Sequence, residues 1–171
     1  MKLMIKATMV VAALAVAGCS NPNRFGNADG GAGAGAGAGG FAAGTASDPT
    51  SPAYFQQTIG DRIFFAIDQS SLSPEARATL DGQANWLLQN GGFTAVIEGH
   101  ADEQGTREYN LALGARRANS VQEYLVSRGV PSSRLRVVSY GKERPVEICS
   151  NESCYSKNRR SVTVLAAGLS S

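Results

Sequence analysis

The chain has 171 residues, one histidine, and 16 Lys and Arg against 14 Asp and Glu, which is enough for one core of ordinary size and too little for two comfortable ones. Residues 1–18, which carry Lys2, Lys6 and no acid, read below as a removed signal, and without them 14 basic residues face 14 acidic ones. A neutral mature chain gives no support for nucleic-acid binding or for a polybasic membrane patch.

The opening MKLMIKATMVVAALAVAGC places Lys2 and Lys6 before an uncharged apolar run, Ala7 to Ala17, and then small residues. That is the layout of a secretory signal, and the run is too short to span a bilayer as a stable helix. Cys19 follows directly on Val16, Ala17 and Gly18, so the junction is similar to a bacterial lipobox, in which residues 1–18 are removed and Cys19 becomes the acylated N-terminus. A plain signal peptide with a coincidental cysteine is the alternative. Ser20, in place of an aspartate, resembles the outer-membrane sorting class. Acyl chains at about 0.8 kcal/mol per buried CH₂ would anchor the chain with no transmembrane helix.

Residues 19–52 are small and polar, with GGAGAGAGAGG (Gly30 to Gly40) at their centre. A single Gly/Ala run has nothing to stack on and reads as a flexible linker. Its root-mean-square span is roughly 30–35 Å and its taut limit ~110 Å, so a domain of residues 53–171 would stand well away from its anchor.

Within that domain, DRIFFAI (Asp61 to Ile67) reads as a strand. A helix follows, with Ser73 as N-cap, Pro74 at its first position and Asn90-Gly91-Gly92 at its end. Ala76, Leu80, Ala84, Leu87 and Leu88 recur at helical spacing and mark its buried stripe. FTAVIEGH reads as a second strand. Thr106 to about Arg128 reads as a second helix closed by Gly129, with Leu111, Ala118, Val121 and Leu125 toward the core. RLRVVSYG and RRSVTVLAA (Arg159 to Ala167) read as the third and fourth strands. The order strand, helix, strand, helix, strand, strand predicts an α+β fold of two layers, with helices on one face of a mixed sheet.

With Cys19 consumed by lipid, Cys149 and Cys154 remain as an even pair in an oxidising compartment, and a disulfide between them is expected. Closing so small a ring contributes ~2 kcal/mol, enough to order a loop. Two thiols and the distant His100 do not complete a tetrahedral metal site, so no metal is expected.

The segment GHADEQGTREYNLALGARRA, Gly99 to Ala118, sets the functional question. Asp102 falls in a loop made permissive by Gly105, just before the second helix, where binding groups collect. Asn110 and Arg117 lie seven residues apart, nearly two turns, and share one helix face. A carboxylate that accepts from an ammonium, together with a guanidinium fork that grips a carboxylate, suits a ligand with both groups on one carbon. The bland alternative is that Asp102 caps the helix and Arg117 makes a surface ion pair worth ~0–1 kcal/mol.

These residues, with VVSYGKERP and KNRR downstream, resemble the peptidoglycan-binding motif of the OmpA-like domain family, in the form carried by lipoproteins of the Tol-Pal system. The resemblance covers roughly residues 58–165. It implies that Asp102 and Arg117 hold the ammonium and carboxylate of diaminopimelate in the peptidoglycan stem peptide, with support from Asn110 and from backbone donors around Asp68 and Leu72. It implies an outer-membrane lipoprotein facing the periplasm, with peptidoglycan, TolB and other Tol-Pal components as partners, no cofactor and no enzymatic activity. A wall-binding lipoprotein outside the Tol-Pal system is the alternative within the family. Ile67 stands where the family often has an aromatic residue, and Ser161-Val162-Thr163 where a glutamate commonly follows the paired arginines.

Other residues carry blander expectations. Arg116, about 100° around the helix from Arg117, is expected to face a neighbouring carboxylate. His100 reads as a hydrogen-bonded packing residue and Trp86 as core more than sugar platform. Asp102 and Glu103 form a conceivable glycosidase pair, but no second histidine, nucleophile elbow or metal cluster supports hydrolysis.

Overall fold

The structure is a computed structural model that describes residues 44–167. The expected signal 1–18, Cys19 and the Gly30 to Gly40 run lie outside the described residues. A short helix α1 (Pro52–Tyr54) continues through a π-helical turn, Phe55–Gly60, and leads into β1 (Arg62–Phe64). Then come α2 (Pro74–Gln89), β2 (Phe93–His100), α3 (Arg107–Ser127), a 3₁₀ turn (Ser132–Arg134), β3 (Leu135–Gly141), α4 (Glu152–Asn158) and β4 (Arg160–Ala167).

The sheet order is β1-β4-β2-β3. β4 runs antiparallel to both β1 and β2, while β3 lies parallel to β2 across the α3 crossover, the connection that parallel pairing requires. The fold is therefore α+β with a mixed sheet. Ile63, Ala95, Ile97 and Leu135 join Leu80, Ala84 and Leu87 of α2 and Ala118, Val121 and Leu125 of α3 in one buried cluster. Gln83 of α2, fully buried at this boundary, is satisfied: it donates to Gly60 O at 2.7 Å and accepts from Thr163 Oγ1 at 2.8 Å.

Ser73 caps α2 as expected, and Thr106, read above as the first residue of the second helix, is the cap of α3. Ser73 Oγ accepts from Ala76 N at 3.1 Å and Thr106 Oγ1 from Tyr109 N at 3.2 Å, each removing an unpaired amide from a helix start. Four expectations need correction. β1 stops at Phe64, because pairing ends at Phe64–Arg160 and the chain turns at once, with Gln69 N bonded to Ala66 O at 3.2 Å. Leu88 and Leu111 are 47% and 46% exposed; each sits one residue, about 100°, past a buried position, Leu87 and Asn110. The cysteine-bearing stretch before β4, read above only as a loop that the disulfide orders, carries α4. Residues 48–51, assigned above to the linker, contact the domain: Pro49 O accepts from Trp86 Nε1 at 2.7 Å and Ser51, 3% exposed, caps α1.

Cys149 and Cys154 are bonded, with Cα atoms 5.9 Å apart. Trp86 is core, its ring 5.0 Å from that of Phe55 and 5.1 Å from that of Phe93.

Candidate functional site

Asp102 leaves the end of β2, where Ala101 N bonds to Gly141 O, and is 8% exposed. Its Oδ1 accepts from Gln104 N at 3.2 Å, a local turn that aspartate favours, and Gly105 completes the loop with φ of +89°. Its Oδ2 accepts from Arg159 Nη1 at 3.1 Å. A carboxylate has about four acceptor positions, so two protein donors leave capacity for a further cation. Thr106, and not Asp102, caps α3, which removes the capping alternative.

Arg117 is fully buried, so the surface-ion-pair alternative fails too. Its Nε donates to Gln69 O at 2.8 Å, Nη1 to His100 O at 2.9 Å and Nη2 to Ala66 O at 3.2 Å, with Phe65 stacked 5.1 Å from the guanidinium carbon. All three partners are neutral carbonyls, and no carboxylate of the described residues makes an ion pair with it. Burial pushes the guanidinium down to about 10, against the opposing pull of Asp102. Arg134 also holds carbonyls, those of Leu87, Asn90 and Phe93, but keeps partial contact with solvent. Two of the five N–H groups of Arg117 stay uncommitted.

Around this pair, Asn110 is 1% exposed; its Nδ2 donates to Gln104 O at 2.7 Å and its Oδ1 has no hydrogen-bond partner. Asp68 adopts φ of +53°, the left-handed region that non-glycine residues seldom occupy, and its Oδ1 accepts from Tyr109 Oη at 3.2 Å. The amides of Asp68 and Leu72 donate to no described residue. The structure thus brings Asp102, Asn110, Arg117 and Asp68 together between the Ala66–Gln69 turn and the Asp102–Gly105 loop. Leu72 packs against the core beneath.

Sequence reasoning missed Arg159. It is 4% exposed, donates to Phe65 O and Asp102 Oδ2, and forms a two-pronged pair with Glu152. The run KNRR, which leads into the last strand beside β2, whose end at His100 lies two residues before Asp102, was the available signal.

His100 is 2% exposed with both ring nitrogens unpartnered, which corrects the hydrogen-bonded expectation. Its Nε2 lies 3.6 Å from Glu98 Oε2, beyond hydrogen-bond reach. Burial, with Arg160 and Arg144 behind it, lowers the imidazole to about 4, and these outweigh the one carboxylate. Arg116 is exposed and pairs with no described carboxylate. Glu103 accepts from Ser150 Oγ at 3.0 Å and Tyr155 Oη at 2.9 Å, a structural use that takes it away from any paired-carboxylate chemistry. A shallow groove bordered by Arg62, Phe64, Glu75 and Thr79 lies at the β1–α2 edge and contains none of the expected site residues.

Residues 64–159 match the model of the OmpA family. The chain is 53% identical over 156 residues to a peptidoglycan-associated lipoprotein of Rhizobium meliloti, covering 91% of this chain and 84% of that protein. It is 48% identical over 159 residues to one of Brucella melitensis, covering 93% and 90%. The crystal structure of the peptidoglycan-associated lipoprotein from Burkholderia pseudomallei superposes with a TM-score of 0.63 at 35% identity, covering 70% of this chain and 97% of that one. The C-terminal domain of Helicobacter pylori MotB shares the fold at 19% identity, with a TM-score of 0.59 over 64% of this chain and 86% of that domain.

Proposed function

The chain belongs to the OmpA family, and from that footing we propose that it is an outer-membrane lipoprotein that ties the membrane non-covalently to peptidoglycan, holding the diaminopimelate of the stem peptide at Asp102 and Arg117, as part of the Tol-Pal system with TolB as a partner. The observation that carries this reading is the charge balance at Arg117. A buried cation surrounded by neutral carbonyls is costly to keep without an anion, while the adjacent carboxylate is already shared with Arg159. The carboxylate of an amino-acid head group supplies that anion, and its ammonium takes the unused acceptor positions of Asp102.

Entry of the ligand requires the Ala66–Gln69 turn to yield, because Arg117 is fully buried and two carbonyls of that turn lie against its guanidinium. Amides at Asp68 and Leu72 then become donors for the same carboxylate. Each single contact needs only modest affinity: copies held at a membrane by lipid on Cys19 face a polymeric wall and bind it multivalently, with the linker setting their effective concentration.

Titration of the full chain in detergent with two muropeptides tests the reading. One ends its stem in diaminopimelate and the other in lysine, which keeps the side-chain amine and lacks the second carboxylate. A preference of at least tenfold for the diaminopimelate form is expected, and equal affinities refute the role of Arg117. Capture of TolB on the immobilised chain tests the partner separately.

A further inference from the structure

Arg159 stands between two carboxylates, Asp102 on one side and Glu152 on the other, and Glu152 takes the larger share: it receives both arms of the fork, where Asp102 receives one. A guanidinium prefers to meet a carboxylate with two parallel bonds. Without Glu152, the fork is free to turn both arms onto Asp102 and fill the acceptor positions that an ammonium needs.

Glu152 does not hold that position alone. It opens α4, a helix of seven residues, too short to persist without tertiary support. Asn151 caps the helix start through Ser153 N and Cys154 N, and Cys154 is bonded to Cys149 on the strand of loop before it. Ser150 and Tyr155, one on each side of the cap, both donate to Glu103, the residue next to Asp102. Lys142 adds bonds to the carbonyls of Glu103 and Gly105 at 3.3 and 2.7 Å. Ser150 and Tyr155 thereby stitch the disulfide loop to the Asp102 loop, which Lys142 holds from the end of β3.

We propose that Glu152 is a positioning residue that draws Arg159 away from Asp102 and so keeps that carboxylate open to a ligand ammonium, and that the Cys149–Cys154 bridge acts by fixing Glu152. This rests on the reading of Asp102 as the ammonium partner. The side chain of Glu152 is 61% exposed, so its replacement by glutamine removes the charge without opening a cavity.

The test uses the full chain in detergent and two probes, a muropeptide ending in diaminopimelate and the same molecule with its free side-chain amine acetylated. The quantity read is the ratio of the two dissociation constants, which isolates the ammonium contact from the rest of the ligand. The parent chain is expected to favour the free amine at least tenfold. Glu152→Gln is expected to cut that preference three- to tenfold with the affinity for the acetylated probe unchanged, and Glu152→Asp to restore most of it. Joint replacement of Cys149 and Cys154 by serine is expected to reduce the same ratio, and to reduce it no further when Glu152→Gln is already present.

An unchanged ratio in Glu152→Gln, or equal losses for both probes, overturns the positioning role. A bridge effect that adds to Glu152→Gln overturns the link between the two. If the parent chain binds both probes equally, the assignment of Asp102 to the ammonium fails, and this role fails with it.

Discussion

The backbones of Gly99 and Gly114 meet with no side chain between them: a Cβ on Gly99 would stand 1.8 Å from Gly114 O, and one on Gly114 2.8 Å from Gly99 O. Gly99 lies three residues before Asp102 and Gly114 three before Arg117. The contact therefore sets how closely β2 and α3 approach at the level of the two charged groups, and it ties the local choice of glycine to the geometry of the site.

Gly99→Ala forces α3 away from β2, because the obstructing atom is a backbone carbonyl that cannot rotate aside. Overpacking of this kind costs about 1–3 kcal/mol and occasionally more, and we expect the upper end of that range. Gly114→Ala regains about 1 kcal/mol of helix propensity and meets Ser139 Oγ at 2.5 Å as well as the Gly99 carbonyl, so a smaller net loss is expected. Denaturant midpoints of the two variants check the order; a Gly99→Ala chain as stable as the parent rules out the close packing.

Arg117 and Asp102 are expected to separate stability from binding. Arg117→Lys keeps the charge but cannot reach the carbonyls of Ala66, Gln69 and His100 from one fork, and each bond to a charged group is worth about 1.5–3 kcal/mol. A loss of about 2–4 kcal/mol is expected. Asp102→Asn leaves Arg159 paired with Glu152, so stability should change by under about 1 kcal/mol while affinity for sacculi falls at least tenfold. Thermal unfolding and sedimentation with purified sacculi measure the two effects, and retention of Asp102→Asn on sacculi removes the site assignment.

His100 gives a pH dependence with a definite sign. Its folded pKa, lowered to about 4, lies below the ordinary value of 6.5, so between these values the unfolded chain takes up a proton that the folded chain refuses. Stability is therefore lost as pH falls from about 6.5 to about 4, by at most about 3 kcal/mol from this group. The groups facing it are Glu98, Tyr140, Arg144 and Arg160. His100→Asn should flatten the stability profile across that window, and an equally steep fall in the variant assigns the dependence elsewhere.

Much of this architecture was legible because local signals agreed with one another. Ser73 before Pro74 and Thr106 before a long amphipathic run each name a helix start, and the β-branched residues of β2 (Thr94, Val96, Ile97) and of β4 (Val162, Thr163, Val164) name two strands. The missed parts share a physical cause, since each depends on partners distant in sequence. α4 has no apolar period of its own and forms where a disulfide, an Asn cap and Glu103 converge. Arg117 reads from its helix face as a group offered to a ligand, yet its three carbonyl partners come from two other segments, 17 to 51 residues away. Leu88 and Leu111 show the limit of periodicity, because a buried stripe one or two residues wide leaves the next position in water.

The stretch before α1 gives the last expectation. Pro49 O is the hydrogen-bond partner of the Trp86 indole, a group that needs one when buried, and Ser51 caps α1 through Tyr54 N at 3.0 Å. A chain that begins at residue 53 loses both, leaves the indole N–H unpaired and frees the helix that carries Phe55, itself fully buried. An unsatisfied buried donor costs about 1–3 kcal/mol and a lost cap about 1 kcal/mol. A fragment starting at residue 44 should therefore unfold at higher denaturant than one starting at residue 53, by about 2–4 kcal/mol. Trp86 fluorescence, followed through urea unfolding of both fragments, reads the difference at the residue concerned. Coincident curves would place the edge of the folded unit at residue 53 and leave the Pro49 contact without energetic weight.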